Sequence, residues 1–139
     1  MLGIAAREAD IIGIQTATLG SGRNAPDPSG LLAETVAEKI EWIRQAAGPR
    51  VADIELSIVG TIVVDERRAD AAERLARARG WDGLPVERVL EMPSIFIGSV
   101  EQMIDEMQAR RERYGISYYV MRDGQLEMVA PIIARLAEV

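Results

Sequence analysis

The chain reads as an α/β protein made of parallel βα units. Three observations predict this. Strand-like apolar runs alternate with amphipathic helical ones along the 139 residues. The strand-like runs are apolar on both faces, which suits strands covered from both sides, as in a parallel sheet. One stretch, Ser94–Met121, joins a helix and a strand through a single glycine. No internal repeat of seven, 33 or 40 residues is present.

In that stretch Ser99 is a candidate N-cap. Gln102 follows three residues later, as a capping box requires. Val100, Met103, Ile104, Met107 and Tyr114 recur at helical spacing and share one face. Glu101, Asp105, Arg110, Arg111 and Arg113 are expected in solvent, acids early and arginines late, as the helix dipole favours. Gly115 suits a left-handed C-cap. Ile116–Met121, rich in β-branched and aromatic residues, is expected to be a strand covered on both faces.

From the N-terminus, residues 2–9 read as helical turns, with Leu2, Ala5, Ala6 and Ala9 inward. Residues 10–14 form a short strand, apolar on both faces. Residues 15–33 are a long loop rich in Gly, Ser and Pro, of a length more often functional or disordered than merely connecting. Its GSGRN piece, Gly20–Asn24, matches neither a P-loop nor a dinucleotide fingerprint. Gln15 and Thr16 directly follow a strand, where parallel α/β folds bind ligands. Glu34–Ala47 is the next helix, with Val36, Ile40 and Ile43 inward, Ala37 and Ala47 beside them, and Gly48-Pro49 as its stop. Trp42 on this helix suits a core or domain-edge position, or a ligand stack.

Residues 54–64 are expected as one strand, interrupted at Gly60 by a bulge, a close backbone approach or room for a flat ligand. Asp65 is expected to cap a helix to Arg79, with Ala69, Ala72, Leu75, Ala76 and Arg79 along one side. Gly80 ends it, and Pro85–Leu90 is a short helical piece. Leu126–Leu136 is the terminal helix, with Leu126, Val129, Ile132, Ile133 and Leu136 inward and Pro131 as a kink or a reset of the first turn.

Composition narrows the chemistry. The net charge of −6 argues against a nucleic-acid partner, which wants a basic face. No Cys means no disulfide or thiolate metal site, and no metal is expected. No His removes the commonest general base and the commonest metal ligand. Fifteen of the 16 basic residues are Arg, which fits anion binding or a nucleotide bias in the source genome. No apolar run approaches the ~20 residues that span a bilayer, and the first ten residues lack a signal-peptide layout. A cytoplasmic, membrane-free protein is expected.

Four ordered segments carry a resemblance: LGIAAREADIIGI, ETVAEKIEWIRQAAG followed by DIELSI, PSIFIGSVEQMIDEMQARRERYGISYYVM, and APIIARL. Together they resemble the luciferase-like monooxygenase superfamily, the flavin- or deazaflavin-dependent (βα)8-barrel oxidoreductases. The nearest flavour is the deazaflavin, coenzyme F-420, subgroup. The resemblance implies one domain over residues 1–139 that matches the last three units of a TIM barrel, with strands near 10–14, 54–64 and 116–121. Met1 would fall within the fifth helix of such a barrel.

It further implies flavin mononucleotide or coenzyme F-420 as cofactor, and hydride transfer or monooxygenation of a small organic substrate. The cofactor would lie near Gly13, Gln15, Thr16, Gly60, Thr61 and Arg122. The catalytic side chains would belong to the earlier units. Three strands do not close a barrel, and apolar edge strands invite pairing. Homo-oligomerisation, or a packing that hides the edges, is therefore expected. The alternative is a non-catalytic α/β module that self-associates through its open sheet edges.

Overall fold

The computed structural model describes residues 2–14 and 27–138. Its elements are α1 (Leu2–Glu8), β1 (Ile11–Ile14), α2 (Ala33–Ala47), β2 (Glu55–Val59), β3 (Thr61–Val64) and α3 (Arg68–Ala78). Then follow α4 (Val86–Leu90), β4 (Ile95–Gly98), α5 (Val100–Tyr114), β5 (Ile116–Val120) and α6 (Leu126–Ala137). The α/β class holds, and every strand pair is parallel. Gln15, Thr16 and the Gly20–Asn24 piece lie outside the described residues.

The strands form two open sheets, one in the order β1-β2-β5 and one pairing β3 with β4. The single strand expected over 54–64 is thus two strands serving different neighbours. Gly60 is the change-over. Its N–H donates to Val120 O, while the N–H of Thr61 donates to Ser94 O. Successive N–H groups of a strand point to opposite edges, so β4 lies on the edge that Glu55 already offers to Asp10 O next to β1. In effect β4 takes over where β1 stops.

The sequence reading missed β4. Its four residues, IFIG, are all buried and show no alternation. They are wedged between Pro93 and a helix cap, and so short an apolar run has no period to detect. Two arginines close its outer edge. Ile95 O and Ile97 O face away from β3; Arg110 donates to the first and Arg68 Nε to the second. Glu106 accepts from both guanidinium groups. Arg110 also donates to Leu90 O and lies 4.4 Å over the Phe96 ring. Arg110, expected in solvent, is therefore buried at 8% exposure. The carbonyls of an edge strand need donors, and a guanidinium supplies several in a fixed fork.

Three apolar clusters hold the layers together. Ala6 of α1 and Val36, Ile40 and Ile43 of α2 pack on Ile12, Ile14, Leu56, Ile58 and Ile116. Ala71, Ala72 and Ala76 of α3 join Trp81, Val89, Met92, Ile95 and Ile97. Met103, Ile104 and Met107 of α5 and Val129 and Ile132 of α6 cover Ile62 and Phe96.

The local signals around α5 hold. Ser99 Oγ accepts from Gln102 N at 3.2 Å, and Gln102 Oε1 accepts from Ser99 N at 2.9 Å. Gly115 takes the left-handed cap at φ 75°, ψ 15°. Other faces differ from expectation. Ala37, Ala69, Leu126 and Ile133 are exposed. Trp42 is 52% exposed rather than in a core. α3 starts at Arg68 rather than directly after Asp65, whose carboxylate accepts from Arg67 N instead. Pro131 sits inside α6.

Candidate functional site

The helices α1 and α2 cover one face of the three-stranded sheet. Its other face is open. Side chains alternate along a strand, and the register sets Ile11 beside Glu55, Gly13 beside Ser57, Ser57 beside Tyr118 and Val59 beside Val120. Ile11 (57% exposed), Val59 (47%), Tyr118 (50%) and Val120 (42%) form an apolar surface here. This corrects two expectations. Neither 10–14 nor 116–121 is covered on both faces; β5 is an edge strand with only Ile116 fully buried. No third layer lies over this face among the described residues; Val59, Tyr118 and Val120 neighbour one another there, while Ile11 stands beside the exposed Glu55 with Ser57 between.

Gly13 belongs to this face. Among the described residues a Cβ there would meet only Ser57 Oγ, at an ordinary 3.6 Å, so glycine keeps the floor low without being sterically required by them. Gly60 behaves differently. A Cβ would stand 2.8 Å from Met121 Cε and 3.0 Å from its sulfur. Its missing side chain therefore makes room for Met121, a close approach on the helix-covered side, and not for a ligand on the open face. Gly60 still sits at the carboxyl end of β2, at the rim of that face.

Thr61 and Arg122 lie on the same rim. Met121 turns onto Gly60, and Arg122, two residues past the end of β5, is exposed. The turn after β5 is held by Gln125, whose N–H donates to Arg122 O and whose side-chain amide donates to Ile62 O at 3.0 Å. The structure adds Arg79. Its Nη2 donates to Thr61 Oγ1 at 3.2 Å, and its guanidinium lies 5.5 Å from the Trp81 ring centroid. Burial pulls the Arg79 pKa down, and the charge of Arg122 adds to that. The sequence carried one signal for this residue: an arginine continuing the Ala72, Leu75, Ala76 stripe of α3.

A groove of about 770 Å³ lies elsewhere, along the free edge of β5 between Met107, Arg111, Glu112, Ser117, Tyr119 and Leu136. It is the weaker ligand site. Its floor is an edge strand's backbone, suited to another strand, and its two charges are of opposite sign on one helix. The Tyr119 hydroxyl is buried without a hydrogen-bond partner among the described residues. Burial pushes its pKa up to about 12, against the opposing pull of Arg110 and Arg111. It stays protonated at neutral pH and is no base.

Among the described residues no group of three Asp or Glu could hold a metal ion. Among the described residues no helix is long and apolar enough to cross a membrane. No family model, curated protein or solved structure matches the chain.

Proposed function

We propose that the chain is part of a flavin- or deazaflavin-dependent oxidoreductase of the luciferase-like class, corresponding to the last three units of its (βα)8 barrel. The observation that carries this is the open face of β1-β2-β5: an apolar floor whose rim, at the carboxyl ends of the strands, holds two arginines. Ligands of parallel α/β folds gather at that end. The adjacency of β1, β2 and β5 in chain order supports consecutive barrel units, and the four sequence segments support the family.

The residues present fit such a cofactor. Val59, Val120 and Tyr118 offer an apolar floor to a flat ring near the carboxyl ends, and Gly13 leaves the β1 side of that floor low. Thr61, Arg79 and Arg122 offer donors to its anionic groups, with Gly60 in the backbone of that rim. Gln15 and Thr16 complete the proposed set by their place after β1. When bound, the cofactor supplies hydride transfer or oxygen activation; this chain positions it and shields one side from water. The substrate is a small organic molecule.

The test is titration of the purified chain with flavin mononucleotide and with coenzyme F-420, read by absorbance and calorimetry. Saturable binding of either, weakened by Val59→Asp, is expected. No spectral or thermal change with both would end the cofactor reading.

A second reading rests on the free edges of β1 and β5 and the uncovered face between them. There the chain is a non-catalytic module that self-associates through those edges.

A further inference from the structure

The helix α6 is apolar on two sides. Val129 and Ile132 are buried against the body of the molecule. A second stripe, Leu126, Ala130, Ile133 and Ala137, steps along the helix by four, three and four residues, so it too keeps to one face. All four residues are exposed, Leu126 at 61% and Ile133 at 58%. A surface helix ordinarily turns polar residues to water. Of the 12 residues of α6 only Glu127 and Arg135 are charged, and Arg135 reaches Glu101 of α5 at 3.7 Å. Apolar surface gathered in this way marks a contact face.

Shape and charge select the occupant. Ala130 lies between Leu126 and Ile133, and Ala137 lies beyond Ile133. Two shallow seats for large apolar side chains thus stand one heptad apart, the spacing at which one face of a partner helix recurs. Glu127 and Glu138 lie along one flank of the stripe, about 16 Å apart at the helical rise. Neither forms an ion pair among the described residues. A second copy fits this flank poorly. Laid antiparallel, with Leu126 on Ala137 and Ala130 on Ile133, it brings its Glu138 within a turn of Glu127, and each chain carries a net charge of −6. Laid parallel, it sets alanine on alanine and leaves gaps. A basic helix meets the same flank with opposite charge, and the acidic chain draws it in.

We propose that α6 is the docking face for a basic amphipathic helix of another protein. That helix lays leucine-sized side chains over Ala130 and Ala137 and sets lysine or arginine beside Glu127 and Glu138. The proposal is independent of the cofactor reading, which uses the open face of β1-β2-β5 and no residue of α6.

The probe is a synthetic peptide of leucine and lysine at helical spacing, fluorescently labelled and titrated with the full chain. Its control has glutamate in place of lysine. The lysine peptide should bind saturably, one per chain, and the glutamate peptide should not. Ile133→Asp and Ala130→Arg, both at exposed positions, should melt as the parent does and each weaken binding by about tenfold. Glu127→Gln combined with Glu138→Gln should weaken it by about fivefold. Equal binding by the parent and both stripe variants would mean attraction by net charge alone and would overturn the proposal. Equal binding of the two peptides would overturn it as well. The mass in light scattering should not change with Ile133→Asp; a fall to one chain would give the stripe to a second copy instead. Binding to vesicles of phosphatidylcholine and phosphatidylglycerol that Ile133→Asp abolishes would give it to a membrane surface, again against the proposal.

Discussion

Tyr119 shows how one buried atom sets a pH limit. Its ring packs edge-on against Phe96 at 5.2 Å and its hydroxyl has no described partner. Its folded pKa is about 12, above the ordinary 10.0. A raised pKa means the folded state holds the proton more tightly. That contribution is complete below pH 10 and is lost as pH rises toward about 12. Ultraviolet titration of the phenolates should show one of the three tyrosines ionising near that limit. Tyr119→Phe removes an unpaired buried hydroxyl, so it should leave stability unchanged or raise it by up to about 1 kcal/mol in urea unfolding. A loss above about 2 kcal/mol would mean the hydroxyl has a partner.

At the opposite end of the scale Asp65 accepts from Arg67 N and pairs with Arg74, and its pKa is lowered, the backbone bond first. A depressed carboxylate stabilises above its unfolded value of about 3.8 and stops doing so as pH falls through the folded one. Asp65→Asn should therefore flatten the stability curve at the acid end and not near pH 10.

Among the elements, β4 depends most on its neighbours. Four residues do not persist as a strand unaided, and one of its edges is closed by side chains rather than by another strand. Replacing Arg110 by Met removes the guanidinium that lies over Phe96 and leaves Ile95 O and Leu90 O without their donor. We expect a loss of about 2–3 kcal/mol in denaturant unfolding. A loss within about 0.5 kcal/mol would show that water satisfies these carbonyls. The α5 helix beside it was legible because its signals are local: a serine with a glutamine three residues on, and a glycine at the exit. The same helix hid Arg110, because the helical wheel gives Arg110 a direction without saying what lies there. β4 itself and the splitting of 54–64 at Gly60 are set by partners distant in sequence. The Arg79–Thr61 contact spans 18 positions and depends on where α3 ends relative to β3.

For the molecule as a whole, the consequence of an incomplete set of layers is visible. Two helices cover one side of the three-stranded sheet, and the register leaves Ile11, Val59, Tyr118 and Val120 on the other. The parallel α/β class was readable from alternating runs, whereas the exposure of β5 was not. A strand covered on both faces and an edge strand with one apolar face look alike when nearly every residue is apolar or aromatic. Free edges at β1 and β5 lead us to expect self-association, seen as a mass above one chain in light scattering at micromolar concentration. Lys or Asp at Val120 should lower that mass; a monomer throughout would remove the self-associating module from consideration.

The central claim is that the open face of β1-β2-β5 receives the flat ring of a flavin or deazaflavin. Nuclear magnetic resonance shift mapping during titration with flavin mononucleotide and coenzyme F-420 tests it most directly. The account predicts saturable shifts at Ile11, Gly13, Val59, Thr61, Tyr118 and Val120, with residues of the α5–β5 groove such as Gln108 and Glu112 unmoved. Shifts confined to that groove, or none with either cofactor, would contradict it.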